Sequence, residues 1–384
     1  MKTFLCQCNK ESRLFFENTL CSKCGRMVGY CPDEKRMQAF EPINGTNKWQ
    51  SVEGHRLYRQ CSNYVQHNVC NWMIPDEKPQ SLCIACQFTD IIPNLDEPRH
   101  LVYWARLETA KRRLLYTLSS LNLPVVSKNE DPEKGLLFRF LADKRADSEF
   151  TEPLNTQEEP VYTGHKNGII TINLAEADDI ARTRARVRMA ELYRTLQGHF
   201  RHEIGHYYWE LLISPYDEKI QQFRALFGNE QTDYKEAQKI YYEQGVSQRW
   251  NNNYISAYGA MHPLEDWAET WAHYFHIIDC TETARDFGFI VQQCSIASQG
   301  IVQEENEQLN DQDGEKDRFN ILLDDWVDLS VGINALNRSM GIEDFYPFVL
   351  HEPIKEKLRF IHQVILPFIK QKWIKKYDEF SGNS

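Results

Sequence analysis

The chain has no stretch of eighteen apolar residues, so nothing in it reads as a membrane-spanning helix. It also shows no long apolar run behind Met1 of the kind a secretory signal needs, and passes directly into Cys6 and Cys8. Beyond residue 90 cysteine almost disappears, with Cys280 and Cys294 alone remaining of eleven. Together these absences predict a cytosolic protein whose thiols stay reduced and bind metal rather than form disulfides. Positive charge is in short supply as well. Against 55 Asp+Glu stand 44 Lys+Arg, a net charge of −11. The deficit lies behind residue 90, where 33 basic residues face 46 acidic ones, whereas residues 1–90 carry 11 and 9. An acidic body argues against binding nucleic acid through phosphate neutralisation. The near-neutral front leaves a protein and a nucleic-acid partner equally open. No repeat of 20–50 residues is found, which excludes solenoids and propellers.

What is present divides the chain in two. The nine cysteines before residue 90 mark an N-terminal module, assigned here to residues 1–95. The double-proline segment from Ile91 to Pro98 reads as the linker to a second domain, 96–384. From Arg99 a helical period sets in through Tyr103, Leu107, Ala110, Leu114, Leu115 and Leu118. Strands are predicted at 136–141 and 168–173, and one long helix over 178–213. Further helices are predicted at 218–227, 233–242, 265–278, 319–340 and 354–369, with an exposed acidic loop over 303–316. The fold class is therefore α+β: a zinc-ribbon module followed by a mainly helical domain with a small sheet near its start.

Cys6-x-Cys8 with Cys21-x-x-Cys24 offers four thiolates in two close pairs, the donor set of a structural zinc. Cys61, Cys70 and Cys83-x-x-Cys86 make a second set. Cys31 is left over, and His55 or His67 is a substitute donor for either site. Structural zinc contributes about 10–16 kcal/mol of apparent folding energy in small domains, so this front segment depends on metal.

The second motif is His202-Glu203-Ile204-Gly205-His206. Histidines four apart share one helix face and can share one metal, and the glutamate between them is the neighbour a zinc hydrolase needs as general base. Catalytic zinc takes a third protein ligand and keeps one position for water. In the acid-rich segment 264–273, Glu265 stands 59 residues after His206, a spacing that suits a gluzincin arrangement. There Glu265 and Glu269 share a face, one to bind metal and the other to accept the N–H of a ligand histidine. Asp266 and His273 form a rival stripe. A di-iron bundle would need a second Glu-x-x-His on a helix; the only other match, Glu97 to His100, falls in the linker. The basic run from Arg182 to Arg188 reads as a solvated helix face. His199 reads as packing or surface, Cys280 and Cys294 as buried thiols, and the aromatic residues at 207–209, 241 and 242 as core.

Three long stretches carry a resemblance. They are Thr171 to Asp179, Gly198 to Trp209 and Glu265 to His273, with Asn337-Arg338-Ser339-Met340-Gly341 near the end. On these the whole chain resembles a bacterial family of zinc-binding metallopeptidases that carry an N-terminal zinc ribbon. That resemblance implies a zincin-like catalytic domain and a peptide or protein substrate. More locally, Ser256-Ala257-Tyr258-Gly259 followed by Glu265 is similar to the catalytic domain of lethal-factor-type proteases. This implies Glu265 as third zinc ligand and Tyr258 as the residue that steadies the oxyanion. The expectation is thus three zinc ions, two structural and one catalytic, with Glu203 as base and Glu269 supporting a ligand histidine. The alternative is a zinc-ribbon adaptor whose second domain binds partners without cleaving them.

Overall fold

A computed structural model describes residues 2–8, 12–142, 161–188, 191, 193–289 and 311–381; at 185, 188, 311–317 and 371–381 it describes the backbone alone. The described chain forms two compact units, one of residues 2–223 with the end of the chain from 367, the other of residues 224–366.

The first unit opens with β1 (Phe4–Leu5) paired to β2 (Arg13–Leu14). A five-stranded antiparallel sheet follows in sequential order. It consists of β3 (Met27–Cys31), β4 (Arg36–Pro42), β5 (Lys48–Ser51), β6 (Leu57–Gln60) and β7 (Met73–Pro75), with the short α1 (Ser62–His67) before the last strand. Met27, Cys31, Phe40, Tyr58 and Met73 close a core beneath it. Cys31, the odd cysteine, is spent on packing. Phe16, Tyr30 and Trp72 extend that core to Tyr116, with Phe16 and Tyr116 ring centroids 5.2 Å apart.

Tyr116 belongs to α2 (Pro98–Ser120), which Pro98 opens at the position where a missing N–H costs nothing. The predicted linker therefore ends inside a helix. It also begins inside a strand, because β8 (Thr89–Ile91) pairs with β9 (Leu137–Leu141). The second sheet runs β10 (Gly164–Lys166), β11 (Ile169–Asn173), β9, β8, with the first pair antiparallel and the others parallel. Strand 168–173 is thus interior, flanked on both sides, and among the described residues β10 and β8 are the two edge strands. Asn167 and Gly168 join the two at φ 49° and 75°, the doubly left-handed conformation of a tight hairpin turn. At Gly168 a side chain is excluded twice over, since a Cβ would stand 2.1 Å from the Gly135 carbonyl oxygen.

The long helix expected over 178–213 is two helices, α3 (Asp179–Arg188) and α4 (Leu196–Leu212). Thr195 starts the second by accepting the Gly198 N–H at 3.0 Å, the usual N-cap bond. Phe200 seats α4 against the sheet, 5.7 Å from Phe138 and 6.2 Å from Phe140.

The second unit takes in the end of α5 (Asp217–Phe227), then α6 (Tyr234–Gln244), α7 (Pro263–Phe287), α8 (Asp311–Ser339) and the first half of α9 (Glu352–Ser381). Trp267, Trp271 and Phe275 stack along α7 at centroid spacings of 5.6 and 5.1 Å. Phe227 and Phe360 pack against Trp267. The acidic loop expected over 303–316 is corrected at its end, where α8 already begins at Asp311; residues 303–310 and Cys294 lie outside the described residues. Tyr242 is exposed rather than core, and Cys280 is half-buried.

His362 on α9 lies 2.8 Å from the Tyr274 hydroxyl through Nδ1, and burial pushes its pKa down to about 4. Below about pH 6.5 the unfolded chain binds a proton there that the folded chain refuses, so stability falls as pH drops from about 6.5 toward 4. Replacing His362 with Gln should flatten the decline in urea midpoint between pH 7 and pH 5. An unchanged slope would show that this histidine carries none of it.

Candidate metal centres

Three groups of side chains among the described residues bring donor atoms within 4.8 Å of one another: Cys6, Cys8, Cys21, Cys24; Cys61, Cys70, Cys83, Cys86; and His202, His206, Glu265. The sulfur spacings are informative. Four thiolates at about 2.3 Å from a zinc ion stand about 3.8 Å apart along the edges of the tetrahedron. Cys6 and Cys24 sulfurs are 3.9 Å apart, Cys8 and Cys21 3.8 Å, and Cys70 and Cys83 3.6 Å. The donor sets fit structural zinc.

Each cluster is also provided with donors to sulfur, which spread thiolate charge. Ser12 Oγ lies 3.2 Å from Cys21 Sγ. The Cys83 N–H donates to Cys61 Sγ at 3.3 Å, and the Trp72 N–H to Cys70 Sγ at 3.4 Å. His55 and His67 stay out of both groups, the first exposed in a left-handed turn and the second edge-on to Trp104. The second cluster meets a cation that the cysteine spacing does not announce. Arg112 of α2 is buried and donates to the carbonyl of Val69, next to Cys70. Burial works against its charge, but Cys70, Glu108, Cys86 and Cys83 outweigh that and hold it more basic than usual. Beside it Glu108 and Lys111, both fully buried, pair at 2.9 Å.

The third group starts on α4. One helical turn separates His202 and His206, and their Nε2 atoms converge to 3.2 Å. Two imidazole nitrogens on a tetrahedral zinc at about 2.0–2.1 Å stand about 3.3 Å apart, so the pair is set for a shared ion. Glu203 is buried beside them. His165 on β10 stacks almost parallel on His206, with centroids 6.4 Å apart and planes at 13°. Its Nε2 accepts the Gly168 N–H across the hairpin turn at 3.0 Å. Burial, then the neighbouring His206 and Lys128, push its pKa down to about 3, which keeps it neutral. His199, one turn before His202, sits 3.0 Å from Glu176, and Arg194 reaches the same carboxylate at 2.7 Å. Burial opposes its charge, but these two partners hold Glu176 down at about 2.

Glu265 lies in the first turn of α7 and is buried. Its Oε1 accepts the Tyr234 hydroxyl at 2.9 Å. Tyr258 stands in the turn Tyr258–Ala260 ahead of α7. Burial, then the charge of Glu265, push its pKa far above the ordinary tyrosine range, so it keeps its proton. Glu269 follows Glu265 by one turn, half-buried, and its charge bears on Asp266. The rival stripe is otherwise engaged: Asp266 pairs with Lys357 at 2.6 Å, and His273 Nδ1 meets the Tyr346 hydroxyl at 2.8 Å. Tyr234, His165, His262 and Lys357 are residues that sequence reasoning missed. For His165 the Asn-Gly turn beside it was the available signal; for the others none lies in the linear spacing.

A family described as "Putative zinc-binding metallo-peptidase" matches residues 100–364, and one described as "zinc-ribbon domain" matches residues 3–97. Proteins of Mycobacterium bovis and Mycobacterium tuberculosis, both described as uncharacterized, are 37% identical to this chain over 365 residues. The alignment covers 95% of this chain and 95% of theirs. No solved structure matches the chain significantly.

Burial pushes the Asp266 carboxyl up to about 7, and Lys357 pulls against that. Replacing Lys357 with Met should cost about 1–3 kcal/mol in urea unfolding at pH 7, because it leaves the buried Asp266 carboxyl without its donor. Adding Asp266→Asn should recover part of the loss. A single variant as stable as the parent would mean that the pair contributes nothing.

Proposed function

The chain belongs to this zinc-binding metallo-peptidase family, and from that premise we propose that it is a zinc-dependent peptidase acting through His202, His206, Glu265, Glu203 and Tyr258. The observation that carries the reading is the convergence of two histidine Nε2 atoms and one carboxylate, with Glu203 on the same helix. Two imidazoles and a carboxylate form the ligand set of a catalytic zinc, which holds three protein groups and keeps a position open. When bound, zinc acts as a Lewis acid and brings the pKa of water toward 7.

The chain's own residues supply the rest. Glu203 takes the proton of the attacking water and passes it to the leaving amine. Tyr258, kept protonated, donates a hydrogen bond to the oxyanion that develops on the scissile carbonyl. Glu269 orients a ligand histidine. An extended peptide pairs with the edge of β10, whose His165 lies against His206. The two four-cysteine centres hold structural zinc and brace the N-terminal module, and their thiolates suit a reducing, cytosolic setting. No helix among the described residues is long and apolar enough to cross a membrane.

Glu203→Gln keeps the shape of the side chain and removes its basicity. It should lower cleavage of an unstructured protein such as casein by about 10²-fold or more, with zinc content unchanged. Cleavage at the parental rate would remove Glu203 from the mechanism.

A further inference from the structure

We infer that Tyr234 is a positioning residue of the proposed zinc site, holding Glu265 as a one-oxygen ligand. The inference rests on the reading of Glu265 as a zinc ligand and adds a residue to it.

The local backbone brings Tyr234 there. His262 accepts the Leu264 N–H through Nδ1 at 3.1 Å and so caps α7. That bond leaves the ring's proton on Nε2, which donates to the Thr232 carbonyl at 3.2 Å. One imidazole therefore ties the start of α7 to the residues leading into α6. Asp233 caps α6 by accepting the Glu236 N–H at 3.0 Å, which fixes Tyr234 as the first residue of that helix. The Tyr234 ring packs edge-on to His262, with centroids 5.1 Å apart. Its hydroxyl then meets Glu265 Oε1 at 2.9 Å in the first turn of α7.

A phenol has one proton to give. That proton goes to Glu265 Oε1. A carboxylate with one oxygen held this way presents the other to a metal, and a single-oxygen ligand leaves room for water, as a catalytic rather than a closed site requires.

The test is zinc affinity of the full-length protein, read by competition with a chromogenic chelator. Tyr234→Phe keeps the ring against His262 and removes only the oxygen. It should weaken one of three zinc sites by about 10–100-fold, leaving the two cysteine sites unchanged. In a Glu265→Gln background the same substitution should add nothing further, because Tyr234 acts through that carboxylate. An affinity for Tyr234→Phe within twofold of the parent, with Glu265→Gln weakened, would overturn the positioning role and leave the zinc site standing. So would an equal effect of Tyr234→Phe in both backgrounds, which a merely structural role produces. Parental affinity in Glu265→Gln would overturn the ligand assignment, and this inference with it.

Discussion

Charge taken out of water has to be met by opposite charge or by directed hydrogen bonds, and that requirement organises this chain from end to end. Eight cysteine thiols sit in two tight groups at the spacing of sulfurs on one zinc ion. Arg112 brings a buried guanidinium to the second group, and Glu108 and Lys111 pair beside it at no exposure. In the other unit Asp266 and Lys357 repeat the arrangement. Pairs of this kind add little net stability over apolar packing, but the loss of one partner is costly. Asp266 and Lys357 therefore tie the N-terminal parts of α7 and α9 to each other.

The histidine pair belongs to the same logic. Two Nε2 atoms 3.2 Å apart in a largely buried setting are a poor arrangement for two neutral imidazoles beyond one shared proton, and a good one for a cation. Neutral supports surround them. His165 spends its ring nitrogen on a backbone N–H and stacks on His206 without competing for charge. Tyr234 does the corresponding service for Glu265 with a hydroxyl. Ligands held by groups that do not titrate near neutrality stay oriented across the working pH range.

Much of this was legible in the sequence, for identifiable reasons. Cysteine pairs and His-Glu-x-x-His are local: two or three backbone turns decide whether the donors meet, so spacing alone located both cysteine quartets and the helix bearing His202 and His206. Helices α2, α5, α6, α7 and α9 followed from periodicity. What failed depended on a single capping bond or on pairing partners distant in the chain. The predicted helix over 178–213 overlooked Thr195 as a cap. The strand predicted at 168–173 forms as β11, but its interior place is set by Asn167-Gly168, which folds β10 back on one side, and by β9 on the other. Tyr234 and Glu265 are neighbours only because His262 links two helix starts across thirty residues of sequence, which no linear pattern records.

The central claim is that His202, His206 and Glu265 form a metal site separate from the two cysteine centres. Zinc per chain, measured by elemental analysis on the purified protein and on a His206→Ala variant, tests it most directly. The account predicts three ions in the parent and two in the variant. Two ions in both would leave only the cysteine centres metallated and contradict it.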